Sequence, residues 1–199
     1  MGEEERNNMK IIFGLGNPGG EYENTYHNLG WLALDRATDY LNCKVNKKKG
    51  KSMLGECFYK GEKVVLVKPL TYMNSSGESV REIVDFYKCE LKDVLVVYDD
   101  IDLEKGALRF KPSGSAGTHN GMRSIVSQIN SQAFPRLRIG SKNHDQSIPL
   151  INYVLMAIPK SERELYDDVF SRAADCILDF AAGLNAEELM CRYNGGGKA

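Results

Sequence analysis

Apolar residues in this chain come in short blocks that alternate between two periods. Residues 9–15 (MKIIFGL) centre on a short apolar run, Ile11 to Phe13, and predict a buried strand. Residues 24–41 switch to helical spacing through Leu29, Leu32, Ala33, Ala37, Tyr40 and Leu41. A lysine-rich loop follows, with Lys44, Lys47, Lys48, Lys49 and Lys51. Two strands are expected over 53–59 and 63–68, joined by the turn Lys60-Gly61-Glu62. Helical spacing returns over 76–88, with Val80, Ile83, Val84 and Tyr87 on one face. VLVVYDD, 94–100, predicts a strand that stops at two carboxylates. Strands over 107–111 and 136–140 flank a small-residue loop (112–118) and a helix over 120–130. A polar surface loop (141–147) and helices near 160–182 and 185–192 complete the pattern. Strands and helices interleave, which predicts a single α/β domain whose mostly parallel or mixed sheet is covered on both faces.

Length and composition narrow this without changing it. The 199 residues fit one domain with a sizeable core, and 42% hydrophobic residues is ordinary for a globular chain. The boundaries expected are an acidic, polar leader over 1–8 (MGEEERNN), a domain over 9–193 and a flexible tail over 194–199. The net charge of -1 means that an anionic partner must meet a local basic patch. The five cysteines are scattered and form no C-x-x-C pair, which favours free thiols in a reducing compartment. No apolar run approaches the ~18 residues a membrane span needs, and the N-terminus is unlike a secretory signal. A cytoplasmic protein without a membrane segment is the expectation.

Gly14, Gly16 and Gly19 match the spacing G-x-G-x-x-G. A dinucleotide loop needs its helix to start among the glycines, so that the helix N-terminus faces the pyrophosphate. Pro18 and the Gly19-Gly20 pair oppose that start, and the acidic residue expected ~20 positions on is missing from a second strand. The loop instead presents Asn17 beyond a buried strand, where ligands collect in open α/β sheets.

Asn17 has company. Tyr26-His27-Asn28 lies near the first helix, LTYMNSSG places Asn74 before the second, Asp99 and Asp100 end a strand, and SAGTHNG puts His119 and Asn120 at a helix start. Singly, the asparagines could be helix caps and the histidine structural. Together they leave few chemistries. There is no G-x-S-x-G elbow, no cysteine in these segments, and no H-E-x-x-H among only three histidines, so neither a serine hydrolase nor a metal site is expected. What remains is an imidazole with a carboxylate partner and several amides. That set suits activation of water against an ester or similar acyl group, without a covalent intermediate or a cofactor.

GLGNPGGEYENTYHNLGW, KPLTYMNSSG, YDDIDL, SGSAGTHNG and RLRIG, in this order and spacing, resemble the bacterial peptidyl-tRNA hydrolases over about residues 9–190. The resemblance implies a single α/β domain with a twisted mixed β-sheet flanked by helices. It also implies metal-free cleavage of the ester between a peptide and the 3′ end of tRNA, by a monomer with no obligate protein partner. By the same resemblance, His27 matches the general base, Asp99 the carboxylate that keeps it competent, and Asn17 the residue that separates blocked from free aminoacyl-tRNA. Tyr22, Tyr72, Met73, Asn74 and Asn120 match positions lining the cleft or touching substrate, and Lys111 and Arg138 match basic residues that grip tRNA phosphates. Arg109 stands where a lysine is frequent. Thr118 replaces a more usual glycine, and Ser141-Lys142-Asn143-His144 departs from the pattern after RLRIG.

For Asn17 the chemistry suggests a side-chain carbonyl that reads the acylated N–H of the substrate. The lysine-rich loop is expected to be a solvated charge run rather than a specific site. Three alternatives stay open from sequence: a non-catalytic RNA binder on the same scaffold, such as the related organellar splicing factors; a nucleotide-dependent oxidoreductase; and a general peptidase or esterase.

Overall fold

The computed structural model describes residues 9–195. Seven strands form one sheet: β1 (Met9–Gly14), β2 (Lys47–Lys49), β3 (Ser52–Tyr59), β4 (Glu62–Pro69), β5 (Val94–Asp100), β6 (Leu108–Lys111) and β7 (Arg136–Gly140), in the order β2-β3-β4-β1-β5-β7-β6. The central strands β4, β1, β5 and β7 are parallel, while β2, β3 and β6 run antiparallel to their neighbours. The sheet is therefore mixed, and the parallel centre explains why β1, β4 and β5 read as continuous apolar runs.

The two faces of β1 separate cleanly. Ile12 points into a core shared with α1 (Leu29–Leu41) and α5 (Arg163–Ala181), while Ile11 and Phe13 join a core under α2 (Ser76–Tyr87) and α3 (Asn120–Ile129). The short α4 (Leu150–Tyr153) precedes α5, and α6 (Ala186–Tyr193) packs against the edge strand β6. No helix among the described residues is long and apolar enough to cross a membrane. All five cysteines are free thiols.

Several boundaries differ from the sequence expectation. The first helix starts at Leu29, not near Asn24; residues 20–22 and 26–28 are separate 3-10 turns. The expected lysine loop contains the edge strand β2, where Lys47 pairs with Glu56 and Lys49 lies over the Phe86 ring at 3.2 Å. Lysines on an edge strand also discourage pairing with another chain. The four-residue α4 was not foreseen, because one helical turn leaves no periodic signature. Asn194, assigned to the tail by sequence, belongs to the fold: its amide bonds both the N–H and the C=O of Phe110 on β6. The leader (1–8) and residues 196–199 of the tail lie outside the described residues.

The glycine loop has a packing explanation. A side-chain carbon placed on Gly14 would lie 2.5 Å from the Gly30 carbonyl oxygen, and one on Gly30 would lie 2.3 Å from the Val97 carbonyl oxygen. These two glycines let the start of α1 rest backbone against backbone on β1 and β5. The helix begins nine residues after Gly20, so its N-terminus is not part of a glycine-loop phosphate site.

Candidate active site

Parallel strands bring their carboxyl ends to one edge, and loops from that edge enclose a cleft of about 760 Å³. Asn17, His27, Tyr72, Met73, Asn74, Asp99, Lys111, Asn120 and Arg138 all line it. Of the expected site residues only Tyr22 does not; it packs edge-on against Tyr72, with ring centroids 6.4 Å apart.

His27 sits in the 3-10 turn that leads into α1. Its backbone N–H donates to the Val154 carbonyl, 2.8 Å away, and the next residue is clamped to the Asn17 loop. Its Nδ1 lies 3.0 and 3.1 Å from the two oxygens of Asp99, the penultimate residue of β5. Asp99 is 1% exposed, and its Oδ1 also lies 2.9 Å from Nε2 of His119, the residue that precedes α3. Burial alone would raise the Asp99 carboxyl, but the two imidazoles outweigh it and hold the group well below the usual carboxylate range. Burial likewise pulls the His27 imidazole down, yet the charge of Asp99 and the hydrogen bond to it win, and the net direction is upward.

Proton positions follow from the partners. Ionised Asp99 can only accept, so His27 carries its proton on Nδ1 and keeps the Nε2 lone pair. The Met122 backbone N–H points at Nδ1 of His119 from 3.2 Å, so that nitrogen must accept and the neutral ring carries its proton on Nε2. The same fact bears on metal binding. His27, Asp99 and His119 offer three ligand atoms within 4.8 Å of one another. Ligation through His119 Nε2 would move the ring proton to Nδ1 and set it against the Met122 N–H. The donor set is thus committed to hydrogen bonds and fits a metal poorly.

The asparagines divide into a fixed pair and a free pair. Asn28, fully buried, accepts from the Asn17 N–H at 2.8 Å and donates to the Asn17 carbonyl at 3.1 Å. The Asn17 side-chain Oδ1 accepts from the Met73 N–H at 2.7 Å. The Asn17 carbonyl oxygen, expected from sequence to read a substrate N–H, is thus already engaged once by the main chain; its second lone pair and the amide N–H₂ are what remain for a ligand. Asn74 and Asn120 do not cap helices. Asn74 lies inside a 3-10 turn, and the cap of α3 is His119. Among the described residues their side-chain amides have no hydrogen-bond partner, and both open onto the cleft.

The opposite end of the cleft is basic. On the sheet face that carries Arg136 and Arg138, the cross-strand partners are Lys111 and Arg109. Arg138 is paired with Asp100, whereas Lys111 is exposed. Arg109 does not line the cleft. Arg136 is 1% exposed and bonds the carbonyls of Ser115, Gln132 and Phe134. Among the described residues no carboxylate pairs with it, and burial pulls the guanidinium below its ordinary value. Sequence reasoning assigned no role to Arg136, Asn28 or His119. The alternation in Arg136-Leu137-Arg138 does place both arginines on one face, but burial without a carboxylate is a tertiary fact. The apolar part of the lining comes from α4 and the turn after it: Leu150, Ile151, Val154 and Leu155.

Comparison with known proteins is consistent with this geometry. The sequence model of a family described as peptidyl-tRNA hydrolase matches residues 11–199. A peptidyl-tRNA hydrolase of Thermoanaerobacter sp. (strain X514) is 45% identical over 187 residues, covering 94% of this chain and 100% of that one. That of Caldanaerobacter subterraneus subsp. tengcongensis is 46% identical over the same length and coverage. Among solved structures, the peptidyl-tRNA hydrolase of Acinetobacter baumannii superposes with a TM-score of 0.89 at 32% identity, covering 99% of this chain and 100% of that one.

Proposed function

This chain belongs to the peptidyl-tRNA hydrolase family, and from that membership we propose that it cleaves the ester joining a peptide, or an N-blocked aminoacyl group, to the 3′ end of tRNA, with His27 as general base. The observation that carries the mechanism is the buried His27–Asp99 pair on the wall of a cleft with free amides and a basic end. Water held at His27 Nε2 gives up a proton to that nitrogen as its oxygen attacks the acyl carbon. The bond pair of the carbonyl moves to oxygen, and amide donors of Asn17, Asn74 and Asn120 are available to hold the charge that develops. Collapse of the tetrahedral intermediate breaks the bond to the ribose 3′-oxygen, which takes the proton back from His27. Asp99 fixes the tautomer and stabilises the imidazolium without itself being protonated.

Polarity orders the substrate along the cleft. Nucleotides and phosphates meet Lys111 and Arg138, while the acyl chain faces Leu150, Ile151 and Leu155. Tyr72 and Met73 also line the cleft, and Tyr22 contributes by supporting Tyr72. Translation in the cytoplasm, where peptidyl-tRNA arises, is the setting this chemistry fits. No cofactor, metal or obligate protein partner enters the mechanism.

The acid limb of kcat/KM tests the assignment of base and carboxylate. His27 is active only when neutral and its proton affinity is raised, so the limb is expected at a midpoint above 6.5, with activity lost as pH falls through it. Asp99→Asn removes the charge that raises it. The midpoint should then move down, while plateau turnover of a blocked aminoacyl-tRNA falls about a hundredfold or more through a misdirected tautomer. An unmoved limb together with full turnover would exclude the pair as the catalytic unit.

The phosphate role of Lys111 has a separate signature. Binding of tRNA should weaken steeply with salt, and Lys111→Ala should lessen the slope of log K against log salt by about one. Equal slopes for the two proteins would remove Lys111 from the phosphate contacts.

A further inference from the structure

Asp99 accepts two imidazole N–H groups, but only one of those rings faces the water to be activated in the mechanism above. The second ring, His119, is held from three sides. Its Nδ1 accepts from the Met122 N–H, its Nε2 lies 2.9 Å from Asp99 Oδ1, and the Tyr98 ring packs edge-on against it at 4.9 Å between centroids. The oxygen it reaches is the one 3.0 Å from His27 Nδ1. The two histidines therefore share one carboxylate oxygen, and His27 also reaches the other.

We propose that His119 is a positioning residue that sets the proton affinity of His27 through their shared carboxylate. The reasoning is electrostatic. A carboxylate that already donates electron density to one N–H offers less to a second. When His27 takes a proton from water, the imidazolium is stabilised by the Asp99 charge that His119 has left undispersed. Removing the His119 N–H concentrates that charge on His27. The base then binds its proton more tightly, is neutral over a narrower pH range, and releases the proton to the leaving oxygen less readily. His119 thus offsets part of the upward push that Asp99 exerts, and keeps the base available near neutrality.

Other charges around Asp99 do not supply this function. Arg138, on the neighbouring strand, is engaged by Asp100, and Arg136 by backbone carbonyls. Tyr98 on the same strand is pushed up to about 12, and Tyr166 on α5 higher still, both chiefly by burial, so both stay neutral through the working range. In the turn that precedes α2, Met73 lines the cleft and does not titrate.

The inference rests on His27 being the base, but its test does not depend on turnover. In the ligand-free protein labelled with ¹⁵N at histidine, long-range spectra report which ring nitrogen holds the proton and the titration midpoint of each ring; substituting His144, exposed and outside the cleft lining, assigns its signal. The wild type should show His119 protonated on Nε2. His119→Asn keeps a cap acceptor for Met122 but is too short to reach Asp99, and His119→Phe keeps the ring volume without a donor. In both, the His27 midpoint should rise by about half a unit to one unit, and the acid limb of kcat/KM should rise with it. His119→Gln, which can present an N–H to Asp99, should return both toward wild type. No rise in either folded loss variant, a fall, or the same shift in the glutamine variant would overturn the proposal. Should the His27 midpoint respond as expected while His27→Ala retains full turnover, it is the role of His27 as base that fails, not the coupling.

Discussion

Alanine in place of His27 is expected to lower kcat for a blocked aminoacyl-tRNA by 10²–10⁴-fold, roughly the range a positioned general base contributes. The expectation follows from how the group is held. Nδ1 is tied to both oxygens of a fully buried carboxylate at 3.0 and 3.1 Å, which leaves Nε2 as the ring's one free lone pair. No other described histidine is so placed: His119 presents an N–H to Asp99 and its Nδ1 to the Met122 N–H, and His144 is exposed, bonds Glu104 and does not line the cleft. KM should change little, because the amides, the apolar wall and the basic end are all retained in the variant. Single-turnover hydrolysis with saturating enzyme separates the two quantities. A loss under tenfold, or a loss that resides wholly in KM, would mean that water is activated elsewhere.

A large effect on folding is expected at Gly30. A Cβ there would sit 2.3 Å from the Val97 carbonyl oxygen and 2.5 and 2.7 Å from the backbone N and O of Leu15. All three neighbours are main chain of the central strands or their continuation, so no side-chain rotation relieves the clash, and α1 must lift. Overpacking of this kind costs about 3 kcal/mol at the upper end of its usual range. For a domain of this size that corresponds to a fall in Tm of roughly 6–12 °C by differential scanning calorimetry. Activity should fall further than stability, since His27 lies three residues before Gly30 and Asp99 two residues beyond Val97. Lifting the helix separates the pair. Gly20→Ala is the control within the same glycine-rich loop. Nothing lies within 4 Å of its added carbon, and its Tm should stay within about 1 °C of wild type. Equal behaviour of the two variants would refute the packing account of these glycines.

Much of the architecture was legible because the signals are local. Continuous apolar runs gave the parallel strands, helical spacing gave α2 and α3, and the abrupt end of VLVVYDD gave the edge at which Asp99 stands. The motifs also indicated most of the polar side chains that line the cleft, since an imidazole, a carboxylate and free amides at strand and helix ends share that edge. Local signals failed where the cause is not local. The helix expected from residue 24 begins only at Leu29, because Asn28 is taken up by the Asn17 backbone and the turn at 26–28 is fixed by carbonyls of Val154 and Met156.

What the chain alone determined, then, is the fold class, the set of reactive groups and the sheet edge where they gather; residue type and period are enough for that. The tertiary structure decided which atom of each group is left for a ligand. Asn17 has one lone pair of its oxygen engaged by the N–H of Met73, 56 residues away, and keeps its amide N–H₂ open. His27 and His119 differ in role because one Nδ1 meets a carboxylate and the other a backbone N–H. Hydrogen bonds saturate, and a group's remaining valence depends on partners that sequence separation hides.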